Sequence, residues 1–274
     1  MKLLVESGAT KSTWLVLDGG IAIDRQVLNG VNPTSNPKSI SVIKSYTSVY
    51  KKTIKSIDYY GAGVSTSRAS TLLREALSEH FMVDKIRIEP DSLAACRSVS
   101  DGIPSIVAIL GTGMNVVLYD GAQIIHSSKS LGYLFGDDGS GFYIGKLILQ
   151  AYYAQKMSNT DSEAFKSQYI SGQEDLIFKI YNSLRPNYET AQLTKFLAVC
   201  SSEFRKAILY RAFNHFFKNQ VVTIDNHKAY PINFVGSVAK IFEIELREVA
   251  LEYDFNIHKV IADPIDGLVR FYSK

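Results

Sequence analysis

The stretch LLVESGATKSTWLVLDGG, residues 3–20, decides how the chain is read. Its two apolar runs, residues 3–5 and 14–17, have the composition of buried strands, and eight small, polar or charged residues separate them. A tight hairpin needs only about two to five. The spacing therefore predicts a wide turn that holds a ligand. Gly8, Ala9 and Thr10, followed by Lys11 and Ser12, let backbone N–H groups converge on an anion because no large side chain bars the approach.

The pattern returns in IVAILGTGMNVVLYDGAQII, residues 106–125. In both stretches an apolar run meets a small-residue turn, a second apolar run ends in Asp-Gly (Asp18-Gly19 and Asp120-Gly121), and a third run begins. This implies a duplicated strand–loop–strand–turn–strand unit. Gly111, Thr112 and Gly113 then form a second anion-binding turn, and the pair suits a polyphosphate. Neither a Walker A sequence nor GxGxxG is present, so phosphate binding of the P-loop or Rossmann kind is excluded.

Between the two units the periodicity predicts helices over 37–55, 67–80 and 92–99 and short strands over 57–61 and 85–89. Later come helical patterns over 141–157 and 193–217. Residues 231–253 then read as strand, Gly236-Ser237 turn and long helix, before a strand at 259–261 and a short closing helix. At 274 residues two lobes are expected, divided near 101–104: residues 1–103 joined by the final helix of about 264–274, and residues 104–263.

Thirty basic residues against twenty-seven acidic ones leave +3, without a basic stripe, so no nucleic-acid partner is expected. Cys96 and Cys200 stand a hundred residues apart with no CxxC, which favours reduced thiols over a disulfide or a metal centre. No apolar stretch approaches the ~20 residues of a membrane span, and Glu6 ends the first apolar run before a signal-peptide core forms. The expected location is the cytoplasm, with no membrane partner.

Three further places carry chemistry. Asp91 follows the strand-like IRIEP and precedes SLAACRSV, the position of a helix N-cap or of an acid that accepts a hydroxyl proton. SLGYLFGDDGSGFYIGK, residues 130–146, sets Gly132, Asp137 and Asp138 in a glycine-rich loop that lacks the alternating acids of a calcium site and suits sugar hydroxyls. Asn32, in NGVNPTSNP, either bonds a sugar or starts an Asn-Pro turn.

Taken in order, ESGATKS, GVNP, EPDSLAA, LGTGMN, GYLFGDDGSG, FVGSVAK and DPIDGL resemble the N-acetylglucosamine kinase branch of the BadF/BadG/BcrA/BcrD ATPases. The resemblance implies a two-lobed actin-like, ribonuclease H-like α/β fold with duplicated mixed five-stranded sheets, flanking helices and a cleft between the lobes. It implies an ATP-dependent kinase acting on the 6-hydroxyl of an amino sugar, with Mg²⁺ arriving with ATP, and a homodimer. Gly8, Ala9, Thr10 and Lys11 are then expected at the ATP phosphates with Gly111, Thr112 and Gly113, and Gly236 and Ser237 by the adenosine. Asp91 is expected as general base and sugar ligand, with Asn32, Gly132 and Asp137 at the sugar.

Glu6 is expected to hold the metal through water where most actin-like ATPases carry Asp, its extra methylene bringing the carboxylate ~1.5 Å nearer. Two departures bear on the sugar: Met114 replaces a small polar residue of the usual GTGSN, and Ser130-Leu131 replaces Gly-Trp. Glucosamine, N-acetylmannosamine, muramic sugars and glucose stand as alternative substrates, and a non-kinase ATPase or sugar sensor as alternative functions. The reductase-activating Bad/Bcr role needs closely set cysteines, and ROK kinases need a zinc-binding cysteine cluster; the sequence has neither.

Overall fold

The structure is a computed structural model that describes residues 1–8, 10–34, 36–170 and 175–273. The chain divides into two units, Met1–Gly102 with Asp263–Lys274, and Ile103–Ala262.

In the first unit β1 (Lys2–Ser7), β2 (Lys11–Asp18) and β3 (Ile21–Asn29) form an antiparallel meander, and β4 (Ser56–Gly61) and β5 (Ile86–Pro90) join it in parallel. The order is β3-β2-β1-β4-β5. Gly19 and Gly20 both have positive φ, 55° and 85°, as the two-residue turn between β2 and β3 requires. The expected wide turn after β1 is a correction: the strands run on through Glu6, Ser7, Ser12 and Thr13, leaving residues 8–10 to connect them.

One face of this sheet buries Leu3, Val5, Trp14, Val16, Ile57 and Tyr59 against α1 (Ser67–Phe81), through Leu73, Leu77 and Phe81. Each fully buried side chain of this size contributes roughly 1.5–3 kcal/mol. α2 (Asp91–Val99) packs on the C-terminal helix Ile265–Tyr272, where a Cβ on Gly267 would come within 2.5 Å of Ser98. The helix expected over 37–55 is instead two 3₁₀ segments, Pro37–Ser45 and Lys51–Thr53. Tyr46 turns extended between them and buries its ring 5.4 Å from Trp14, which ends the first segment.

The second unit repeats the plan. β6 (Ser105–Leu110), β7 (Met114–Tyr119) and β8 (Ile124–Ser127) are antiparallel, and β9 (Ile232–Val235) and β10 (Ile257–Ile261) join in parallel in the order β10-β9-β6-β7-β8. The β6–β7 connection, residues 111–113, has the same length as its counterpart in the first unit. Its core gathers Ile106, Ala108 and Leu110 with Phe196, Phe213, Phe216, Phe217 and Phe234. The long helix expected after Gly236 is broken into Ser237–Ile241 and Glu243–Glu252, because the buried Phe242 leaves helical geometry at φ −109°, ψ 31°. No helix among the described residues is long and apolar enough to cross a membrane.

Candidate functional site

In the first unit the candidate residues lie at the carboxyl ends of β1, β4 and β5, where open α/β sheets commonly bind ligands. The β1–β2 connection is tied down by backbone hydrogen bonds, one within the hairpin and one from the residue after β3: Gly8 N–H donates to the Lys11 carbonyl at 3.0 Å, and Gly30 N–H to the Thr10 carbonyl at 2.9 Å. Beneath it the buried Ser7 and Ser12 hydroxyls are satisfied. Ser7 Oγ accepts from Val31 N–H at 2.9 Å, and Ser12 Oγ donates to the Asn29 carbonyl at 2.8 Å while accepting from Trp14 Nε1. Ala9 lies outside the described residues.

Glu6 is buried in β1 between Thr13 and Tyr60 of the neighbouring strands. Burial, then the Asp263 and Asp91 carboxylates, push its acid up to about 8, while Lys11 pulls the other way. The Thr13 hydroxyl beside it is buried without a hydrogen-bond partner among the described residues. No group of three His, Cys, Asp or Glu able to hold a metal directly occurs among the described residues. A buried acid beside an unspent hydroxyl, without a cluster of direct ligands among the described residues, fits a Mg²⁺ ion that keeps most of its waters, which is how that ion usually binds.

Lys11 Nζ donates to Asp263 Oδ2 at 2.6 Å, and Asp263 Oδ1 accepts from the Ile265 N–H that opens the C-terminal helix at 3.0 Å. The cation that the sequence assigns to phosphates is thus engaged by an acid 252 positions away. Asp91 is the first residue of α2, one position past the expected N-cap, which is Pro90. Its Oδ1 accepts from Ser92 N–H at 2.9 Å. Burial nevertheless holds its acid above the usual carboxylate range.

Asn32 is seated by Gly63, at φ +70° in the loop after β4, where a Cβ would stand 2.0 Å from Asn32 Oδ1. Asn32 N–H donates to Ser39 Oγ at 3.0 Å, and Thr34 Oγ1 donates to the Gly63 carbonyl at 2.6 Å. Gly63 and Asp263 were missed by the sequence reasoning. The first has the signal of a Gly-Ala-Gly turn after a strand, and the second that of Asp-Pro before a helix.

In the second unit, Gly111 N–H donates to the Gly113 carbonyl, and the first amides of α4 (Gly141–Tyr153) take the other carbonyls of the connection: Gly141 N–H to Gly111 at 2.8 Å and Phe142 N–H to Thr112 at 3.0 Å. Ser140 caps α4 through Tyr143 N–H. Asp137 fills the space that a Cβ on Gly113 would need, with its Oδ2 2.9 Å from that position. Gly113 thus leaves room for a side chain of its own unit, a steric role distinct from the close phosphate approach that the sequence suggests.

Burial raises the Asp137 acid, the Met114 amide opposes that, and the Asp138 charge adds to it. Of the six non-glycine residues with positive φ among the described residues, Asp137 alone is buried. A buried acid held at φ +61° is backbone strain of the kind that collects at functional sites. Gly132 begins the short α3 (Gly132–Phe135) at φ +67°, with open space where its Cβ would lie. Met114 packs partly against the core of the unit. Gly236, at φ +124°, brings its backbone against Leu110, whose carbonyl oxygen would be 2.3 Å from a Cβ there; Ser237 beside it is exposed.

The chain matches no protein-family model and none of the curated proteins. Solved structures resemble it over its whole length. A protein from Porphyromonas gingivalis, provisionally assigned as an N-acetylglucosamine kinase, has a TM-score of 0.92 at 28% identity, covering 100% of this chain and 99% of that one. A second protein with the same provisional assignment, from Chromobacterium violaceum, gives 0.76 at 15% identity, covering 99% and 98%. A ROK-family glucokinase from Streptomyces griseus, solved with glucose and AMPPNP, gives 0.59 at 12% identity, covering 98% and 98%. The chain has the two-lobed actin-like fold that these structures share.

Proposed function

We propose that the protein is an ATP-dependent sugar kinase of the N-acetylglucosamine kinase branch of the BadF/BadG/BcrA/BcrD ATPases. The reaction is transfer of the γ-phosphoryl group to the 6-hydroxyl of an amino sugar, N-acetylglucosamine before others. The observation that carries this reading is the full-length likeness to the Porphyromonas gingivalis structure, together with the motifs that the two hairpin connections bring to corresponding places in the two units.

The residues divide the work by chemistry. Asp91 accepts the proton of the sugar hydroxyl as its oxygen bonds to the γ-phosphorus; the bond to the β,γ-bridging oxygen breaks and ADP leaves with that electron pair. An acid raised by burial suits this task better than an ordinary carboxylate, because its conjugate base is stronger. Asn32 and Asp137 orient sugar hydroxyls, while Gly8, Thr10 and Lys11 in one unit and Gly111, Thr112 and Gly113 in the other face the phosphates. Gly236 and Ser237 lie by the adenosine. Mg²⁺ would neutralise phosphate charge when bound, with Glu6 and Thr13 as the groups that would meet its waters.

A coupled ADP-release assay over a panel of hexoses and hexosamines tests the reading. The expected result is Mg²⁺-dependent ADP release that needs N-acetylglucosamine and yields its 6-phosphate. ATP hydrolysis indifferent to every sugar would overturn the kinase assignment; preference for glucose or glucosamine would correct the substrate.

A further inference from the structure

We infer that Asp263 is a positioning residue for phosphoryl transfer, fixing the Lys11 ammonium at the edge of the first hairpin connection. The inference rests on the kinase reading of this site. Lys11 opens β2 directly after Thr10, and about half of its side chain is exposed, so on its own it would sample many rotamers. One oxygen of Asp263 takes the Lys11 ammonium at 2.6 Å while the other takes the Ile265 N–H at 3.0 Å. The second contact fixes the carboxylate to the start of a helix whose Ile265, Gly267 and Leu268 are buried, so the first contact is made by an anchored group.

Ordering has a use here that stability does not supply. A partly exposed Lys–Asp pair adds little to folding, since solvent screening and side-chain entropy offset the attraction. A cation held in place is worth much more to a reaction whose catalysis is mainly positioning and charge stabilisation. Lys11 has three N–H donors and Asp263 occupies one, so the ammonium can stay on Asp263 and still offer two to phosphate oxygens.

Asp263→Asn separates the two contacts. The amide oxygen still accepts from Ile265 N–H, so residue 263 stays anchored to the start of the helix, but the negative partner of Lys11 is gone. The expected result is a kcat/KM for ATP lower by about 10- to 100-fold. The melting temperature should stay within about 3 °C, and Asp263→Glu should recover part of the rate. In a Lys11→Met background the same substitution should have almost no further effect, because Asp263 acts through Lys11.

Full activity in Asp263→Asn, or an equal additional loss in the Lys11→Met background, would overturn the inference. Binding of AMPPNP to the unaltered chain, measured by calorimetry, keeps the two readings apart. No binding overturns the kinase reading and this inference with it, whereas binding by the unaltered chain and Asp263→Asn alike, with equal turnover, overturns the inference alone.

Discussion

Gly63 leaves vacant the space in which Asn32 places its side-chain oxygen: a Cβ on Gly63 would lie 2.0 Å from Asn32 Oδ1. Gly63→Ala therefore acts in two ways. The residue sits at φ +70°, where an L side chain costs on the order of 1 kcal/mol, and the methyl group drives Asn32 from its seat. If Asn32 bonds the sugar, the KM for sugar should rise about tenfold or more while the KM for ATP changes little. Saturation kinetics for each substrate check this, and an unaltered sugar KM would return Asn32 to the role of a turn residue.

Glu6 gives a pH dependence whose sign follows from its surroundings. Its folded-state acid lies at about 8 against an ordinary value of 4.5. The folded chain therefore keeps a proton that the unfolded chain has released. This contribution to stability is complete below about 4.5 and is lost as pH rises through about 8, a change on the order of a few kcal/mol. Glu6→Gln removes the dependence. The variant should melt close to the parent at pH 5 and above it at pH 9, in thermal unfolding at constant ionic strength without nucleotide or metal. Parallel curves would mean that Glu6 titrates like an exposed carboxylate. The turnover of the same variant should fall while sugar affinity is kept.

The duplicated meander was legible because Asp-Gly turns and apolar runs recur at matching intervals, and Asp91 and Gly236 were legible because each falls between strand and helix patterns. The true length of the first connection was hidden. Glu6, Ser7, Ser12 and Thr13 have loop-like composition, and only cross-strand pairing shows them to be buried strand ends. Ser7 and Ser12 tolerate burial because Val31, Asn29 and Trp14 satisfy their hydroxyls, contacts that periodicity cannot register. The Lys11–Asp263 pair was out of reach for a similar reason: 252 positions separate partners that touch only once the C-terminal helix has returned to the first sheet.

Gly236 and Gly132 separate conformational strain from steric collision. Both have positive φ, 124° and 67°, but a Cβ on Gly236 would meet the Leu110 carbonyl oxygen at 2.3 Å, whereas one on Gly132 meets nothing within 4 Å. Backbone cannot rotate away as a side chain can. Gly132→Ala should cost roughly 1 kcal/mol, and Gly236→Ala roughly 3 kcal/mol or more, since β6 and β9 must move apart. Urea unfolding of the two variants measures the difference, and equal costs would mean that the β6–β9 contact is loose.

Asp91→Asn tests the proton acceptor most directly. The substitution keeps the shape of the side chain and an oxygen able to accept from Ser92 N–H, so α2 and the fold should be unchanged. What disappears is the group that takes the hydroxyl proton, and kcat should fall about 10²- to 10⁴-fold. Because burial raises the Asp91 acid, the acidic limb of the parent's pH–rate profile should lie above the usual carboxylate range: activity is lost as falling pH protonates the base. Binding of AMPPNP and of sugar, followed by calorimetry, should survive in the variant. Near-parent turnover with both ligands bound would show that another group accepts the proton and that Asp91 serves only to orient the sugar.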